Sequence, residues 1–173
     1  MNNIPDKLIN FMCYDDGNVM IGIADVALPD LAYMTESMQG AGIAGEIDAP
    51  TLGHFQSLTA TINWRSLIKE NVTYIAPKTY HFDFRGSVQI YDPNSGEFTT
   101  QSLKCVMKVL PKNLNLGNLN VASQMGTSGG VELIYLKIEI AGAEVVEIDK
   151  LSFICRIDGT DYLEKVRKDM GMA

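Results

Sequence analysis

The run from Tyr80 to Leu110 constrains the fold more than any other part of the chain. Tyr80, Phe82, Phe84, Val88 and Ile90 alternate with His81, Asp83, Arg85, Ser87 and Gln89, the period of a strand with one buried and one wet face. Asp92-Pro93-Asn94-Ser95-Gly96 is made of turn residues. The pattern resumes from Phe98, with Leu103, Cys105, Met107 and Val109 on one side and Lys104 and Lys108 opposite. The two halves predict a long antiparallel ribbon, and such a ribbon needs a core on its apolar face and more strands beside it.

Candidates for those strands flank the ribbon. Leu58, Ala60, Ile62 and Trp64 alternate with Ser57, Thr59, Thr61 and Asn63 in a strand over Phe55 to Trp64. Leu8 to Tyr14 and Val19 to Leu28 read as a hairpin around Asp15-Asp16-Gly17-Asn18. Arg65 to Glu70 has room for a turn or two of helix before Pro77. After the ribbon, Pro111 to Gly117 reads as a loop and Leu119 to Gly130 as a weak strand or a second flexible excursion. Val131 to Ile140 is apolar on both faces, Ile134, Leu136, Ile138 and Ile140 against Val131, Leu133 and Tyr135, which predicts a strand covered on both sides by its own domain or by another subunit. Ala141-Gly142-Ala143 turns the chain into one further strand, Glu144 to Ile157, which Asp158-Gly159 ends.

Thr160 then suits an N-cap, and Tyr162, Leu163, Val166 and Met170 recur at helical spacing. Asp161 with Lys165 and Glu164 with Lys168 are favourable pairs four apart, and Gly171 suits the helix end. About seven strands and one helix predict a mainly β (α+β) fold, an antiparallel sandwich or barrel with a flanking C-terminal helix, in one domain spanning 1–173.

Leu28 to Gly53 fits neither period. It is long and rich in glycine, and reads as an extended arm, 29–53, that leaves the domain and orders itself on another copy. Its apolar anchors would be Leu31, Tyr33, Met34, Met38, Ile43 and Ile47, with Gly40, Gly42 and Gly45 giving conformational freedom. Gly40-Ala41-Gly42-Ile43-Ala44-Gly45 also matches the dinucleotide fingerprint. That site needs a strand before the glycines, a helix beginning within them and an acidic residue about 20 positions on. Here Met34 to Gln39 is mostly polar, Pro50 blocks a helix and Arg65 occupies the distant position, so no cofactor is expected.

Other chemistry is equally thin. His54 and His81 are the two histidines, and neither lies in a recognisable nucleophile motif. His81 and Asp83 share a strand face as metal ligands would, but a solvated face explains them more simply. Cys13, Cys105 and Cys155 have no CxxC spacing, so they read as reduced core residues. Asn71-Val72-Thr73 matches a glycosylation acceptor, without a secretory signal to give it weight. No catalytic or metal site is expected.

Composition points towards assembly. Hydrophobic residues make up 46% of the 173 and charged residues 20%, more apolar surface than one core of this size needs. A net charge of -7 and a pI near 4.7 argue against a duplex-DNA binder. The first residues are acidic where a signal peptide would be basic, and no apolar run reaches membrane-spanning length, so the chain is expected to stay in the compartment where it is made.

Several segments resemble a known family. Leu28-Pro29-Asp30-Leu31, the arm with Gly40-Ala41-Gly42-Ile43, Gly142-Ala143-Glu144-Val145-Val146-Glu147-Ile148-Asp149, and Asp158-Gly159-Thr160-Asp161-Tyr162-Leu163 followed by Arg167 and Met170-Gly171-Met172 look like the major tail tube protein of contractile-tailed phages and R-type tailocins. Two departures stand out: Arg65 to Thr79 leaves room only for a short helix, and Asp158-Gly159 replaces an Asn-Gly turn.

The resemblance implies a structural protein whose hexameric rings stack into a hollow tube, inside a sheath and together with tape measure and baseplate proteins. The tube is driven through the target envelope on contraction, with DNA only in transit and no integral membrane association. One sheet of each subunit would join its neighbours in a barrel around the lumen, and His81, Asp83, Arg85 and Gln89 would line it. Six copies at -7 each would give the ring about -42, which suits a lumen that repels phosphate. It also implies a virion or tailocin location after assembly in the host cytoplasm. A type VI secretion tube protein and a small β-barrel hydrolase are the competing readings, the latter needing a pocket with His54 or His81 beside a nucleophile.

Overall fold

The computed structural model describes residues 3–15, 18–20 and 22–172. Strands β1 (Ile4–Asp15), β2 (Asn18–Met20), β3 (Ile23–Ala27), β4 (Tyr33–Met38), β5 (Ile47–Phe55) and β6 (Thr59–Trp64) precede helix α1 (Lys69–Thr73). β7 (Tyr80–Asp92), β8 (Glu97–Asn115), β9 (Thr127–Ile140), β10 (Ala143–Asp149), β11 (Ile154–Ile157), β12 (Thr160–Asp161) and helix α2 (Glu164–Asp169) follow. A ten-stranded sheet runs β12-β11-β10-β9-β8-β7-β1-β2, with β6 and β3 branching from β9, and β4-β5 forms a separate two-stranded sheet. The mainly β, antiparallel class with a short C-terminal helix is therefore as expected.

The predicted ribbon is β7 and β8, paired without a break from Tyr80↔Val109 to Asp92↔Glu97. Its alternation does what the pattern required, because Phe82, Phe84, Cys105, Met107 and Val109 are buried while His81 and Arg85 are exposed. Leu58, Ala60, Ile62 and Trp64 of the β6 segment close over them, each at most 3% exposed. Tyr74, just after α1, stacks on Trp64 and meets Tyr80 and Phe82 edge-on, and its hydroxyl donates to Asp15 Oδ2 at 2.9 Å. All three cysteines are buried in this core, as expected.

Within a single chain, β9 is covered on one face and not on both. Leu133 and Leu136, an odd number apart, are both buried, because the register slips from Lys108↔Tyr135 to Val109↔Leu133 and leaves Ile134 as a bulge. The bulge swaps the inward face, so Val131 and Leu133 before it and Leu136 and Ile138 after it share one covered face. It is also where the sheet forks: β6 pairs with β9 from Trp64↔Thr127 to Thr59↔Glu132, and β10 takes the same edge from Asp149↔Tyr135 onward.

Further boundaries differ from expectation. The N-terminal hairpin holds only as far as β2, with Asp16, Gly17 and Ile21 outside the described residues; β3 then crosses to pair with β6. Pro111 to Gly117 is not all loop, since β8 continues to Asn115 past a bulge beside Pro111, where a missing amide is tolerated. Leu119 to Gly130 is an excursion up to Gly126, after which β9 begins. Glu144 to Ile157 is two strands, because the Asp149 carboxylate accepts from the Leu151 and Ser152 amides, each at 2.9 Å, and bends the chain back. The helix expected over Arg65 to Glu70 is α1, displaced to Lys69–Thr73. Asn71 within it is 1% exposed, its amide tied to Ile68 N and Ser66 O, so it is no surface glycosylation acceptor.

The C-terminal helix is shorter than its pattern. Thr160 is not an N-cap: with Asp161 it pairs onto β11 across the Asp158-Gly159 turn, whose φ values of 48 and 77 are those of a tight hairpin loop. Asp161 binds Arg167 at 2.7 Å, not Lys165, which pairs with Asp169; the Glu164 to Lys168 pair forms as expected. Leu163 and Val166 pack on the core whereas Tyr162 and Met170 stay exposed. Gly171 does close the helix, with Gly171 N bonding Lys168 O and Met172 N bonding Arg167 O.

Candidate assembly surfaces

The arm is ordered, which its sequence did not suggest. Met38↔Ile47, Ser37↔Asp48, Glu36↔Ala49 and Thr35↔Pro50 pair β4 with β5, and Ser37 Oγ donates to Glu46 Oε1 at 2.5 Å. Between the strands lies the glycine-rich loop, with Gly42 at φ 92 and Gly45 at φ 134, conformations that side chains resist. The dinucleotide fingerprint is thus a hairpin tip followed by a strand.

Leu31, Tyr33, Met34, Met38 and Ile47 are exposed, and Ile43 is half-buried at the tip. A two-stranded hairpin is marginal in water by itself. This one is held at its root. Tyr33 stacks on Phe55 with ring centroids 4.6 Å apart, Gln56 N donates to Ala32 O at 2.9 Å, and Gln56 Nε2 donates to Tyr33 O at 3.2 Å. Gly53, at φ 65, lies so close to buried Leu163 that an added Cβ would sit 2.5 Å from Leu163 Cγ.

A polar clamp completes the root beside the fork. Glu132 accepts from Ser57 Oγ, Leu58 N at 3.2 Å and Lys150 Nζ at 2.9 Å, and Lys150 also reaches Gln56 O at 3.2 Å. Burial pushes the Glu132 carboxyl up, but these donors outweigh it and leave it below the usual carboxylate value.

The second surface is the wet face of the large sheet. Arg85 donates to Asp83 Oδ2 through Nε at 2.9 Å and an Nη at 2.6 Å and lies over the Tyr14 ring; Gln89 donates to Asp6 Oδ2 at 2.7 Å. Exposed His81 stands beside Lys108, which lies 5.2 Å from the Tyr135 ring. The four residues expected to share a face do share it.

The sequence reading missed what continues across that face. Lys104 approaches Glu139 at 4.0 Å, Lys137 bridges Glu139 at 3.0 Å and Glu144 at 3.1 Å, and Arg156 binds Glu144 at 3.1 Å and also Glu147. The hydrogen bonds that Lys137 donates to Glu139 and Glu144 hold it well protonated, and Arg156 and then Lys137 keep Glu144 below its usual range. Basic Arg85, Lys104, Lys108, Lys137 and Arg156 are interleaved with acidic Asp6, Asp83, Glu139, Glu144, Glu147, Asp149 and Asp161, so opposite charges are paired locally across the face. Lysines and glutamates at alternate positions of successive strands were the signal that could have revealed it. Among the described residues no group of three metal-ligating side chains comes together.

These surfaces define a mainly β protein with a projecting apolar hairpin and a charge-laddered sheet. The chain belongs to the phage tail tube protein FII family, which it matches over residues 5–171. It is 27% identical to the tail tube protein of Escherichia phage P2 over 98% of this chain and 99% of that one. It is 24% identical to the major tail tube protein of Serratia phage KSP20, over 98% of each. Its fold is similar to a chain in the sheath/tube terminator structure of the PVC extracellular contractile injection system, with a TM-score of 0.57 over 78% of this chain and 96% of that one at 12% identity. The resemblance of the terminal motifs to a contractile tail tube protein is thereby upheld.

Proposed function

We propose that six copies close into a ring, that rings stack into the hollow inner tube of a contractile phage tail or tailocin, and that the 29–53 arm seats on a neighbouring copy. The observation that carries this reading is the hairpin, clamped at its root and leaving Met34, Met38, Ile47 and Leu52 exposed along its strands, as a segment built to bury itself elsewhere would be. The sheath surrounds the tube, tape measure and baseplate proteins bound it, and assembly takes place in the host cytoplasm. The work is mechanical: contraction drives the tube through the target envelope, and the load is carried by interfaces between subunits with no bond made or broken.

His81, Asp83, Arg85 and Gln89, with the charge ladder beside them, face the lumen in this reading. Each Lys and Arg of the ladder already has a carboxylate or aromatic partner, so transiting phosphate meets no free cation to hold it. Local compensation adds to bulk repulsion as a reason DNA would slide. The match to the phage family supports this reading over a type VI secretion tube.

Deleting Gln39 to Thr51 tests the arm, because the cut leaves Tyr33, Phe55 and the core contacts in place. A cooperatively unfolding protein that forms no tubes in negative-stain images is expected. Normal tubes from the deletion would overturn the role given to the arm.

A further inference from the structure

Acidic and basic residues are spread unevenly along the chain. Between Lys7 and Arg65 there is no Lys or Arg, so the arm carries Asp30, Glu36, Glu46 and Asp48 with no cation in its own segment. Met34, Glu36 and Met38 share one face of β4 by alternation, and Ala49 and Ile47 of β5 stand level with Glu36 and Met38. The face the arm offers is therefore apolar with one carboxylate at its centre. Covering that face with another copy strands Glu36 unless the seat supplies a cation, because an ion buried without a partner is costly.

Few cations are available for that role. Of the 14 Lys and Arg residues, Arg65 and Lys69 alone have neither a carboxylate nor an aromatic partner among the described residues, and both are exposed. They stand at the end of the β3-β6 pair opposite the arm. The arm leaves β3 and enters β6 beyond Ala27↔Thr61, whereas the other end of the pair, Ile23↔Trp64, carries Arg65, whose amide donates to Gly22 O at 3.1 Å. The loop from Leu116 to Met125 closes on this same end, with Met125 N donating to Arg65 O at 3.0 Å and Leu67 N to Met125 Sδ at 3.5 Å. It displays Leu119 at 90% and Val121 at 100% exposure. Bare apolar side chains beside unpartnered cations are the complement of the arm face.

We infer that the arm of one copy seats on the opposite end of another, with Glu36 set against Arg65 and Lys69, and with Met34, Met38 and Ile47 set against the loop at Leu119 and Val121. This rests on the reading that the arm docks on a neighbouring copy, and it names the seat and the residues that make it specific. Two arms meeting face to face would oppose Glu36 to Glu36, so the contact is heterologous. Because projection and seat lie at opposite ends, each copy gives one arm and receives another, and the contact repeats in one direction.

A charge swap in the full chain tests the pairing, with tubes scored in negative-stain images. Glu36→Arg is expected to abolish tubes, as is Arg65→Glu combined with Lys69→Glu, and all three substitutions together are expected to restore them. The three residues are exposed, and thermal melting checks that each variant unfolds as cooperatively as the unmodified chain. Independently, the full chain carrying Met38→Cys with Val121→Cys should give a ladder of dimers and higher species on denaturing gels after a short bis-maleimide, with none from either single variant, since the native cysteines are buried. Normal tubes from Glu36→Arg or from Arg65→Glu with Lys69→Glu would overturn the inference, as would dimers from Met38→Cys alone, which would mean arm on arm. No tubes from the triple variant would overturn the charge pairing, and tubes without a ladder would overturn the seat at the loop, both leaving the arm reading in place. Normal tubes after deletion of Gln39 to Thr51 would remove the arm reading and this inference with it.

Discussion

Replacing Gly53 by alanine attacks the arm where it joins the domain. Gly53 holds φ 65, and its new Cβ would lie 2.5 Å from Leu163 Cγ and 2.7 Å from both Leu163 methyls. A left-handed backbone costs a non-glycine residue about 1–2 kcal/mol, and forcing a methyl into a packed site about 1–3 kcal/mol. Leu163 is 3% exposed and has little room to retreat, so the two effects add to about 2–5 kcal/mol. At about 2–4 °C per kcal/mol for a chain of this size, Tm should fall by roughly 4–20 °C. Differential scanning calorimetry measures the fall, and hydrogen exchange across 33–55 reports whether the arm root loosens. Measured in a Leu163→Ala background, where the clash is gone, Gly53→Ala should cost only the backbone part. An unchanged Tm together with unchanged exchange in the arm would refute the view that Gly53 is there for close contact.

Other expectations concern the core, the fork and a turn. Leu136→Ala should cost about 2–5 kcal/mol in urea unfolding, since Leu136 is 1% exposed opposite Met107; a loss below about 1 kcal/mol would mean that β9 is not seated as described. The depressed Glu132 carboxyl stabilises the fold fully above the unfolded carboxylate value near 4.3, and that contribution disappears as pH falls through the folded value. The urea-midpoint deficit of Glu132→Gln should therefore be large at pH 7 and shrink towards pH 3, and a deficit constant with pH would contradict the clamp. Ala141 turns at φ 53, so Ala141→Gly should relieve strain of about 1 kcal/mol and raise Tm by about 2–4 °C in a thermal melt; a lower Tm would count against it.

Strands were readable where one face is buried and one is wet. Tyr80 to Arg85 and Thr59 to Trp64 alternate because water sits on one side of each, and there the pattern and the burial agree; from Gly86 to Asp92 every residue is half-buried. β9 defeated the same rule because the Ile134 bulge shifts parity midway. β4 was invisible for the opposite reason: all six of its residues are exposed, so nothing alternates. The turn between β10 and β11 is made by the Asp149 side chain without glycine or proline, and the first turn expected of the last helix was lost to pairing of Thr160 and Asp161 with β11. Of the surfaces, the arm was legible as a segment that belongs to no core, and His81, Asp83, Arg85 and Gln89 as one face. The ladder through Lys104, Lys137, Glu144 and Arg156 depends on which strands are neighbours, and local spacing carries no record of that.

Cryo-electron microscopy of the purified, unmodified chain tests the central claim most directly. Hollow tubes of stacked six-membered rings, with each Tyr33 to Phe55 hairpin seated on another copy, are the expected result. Isolated monomers at every concentration, or rings in which the hairpin projects into solvent, would contradict it.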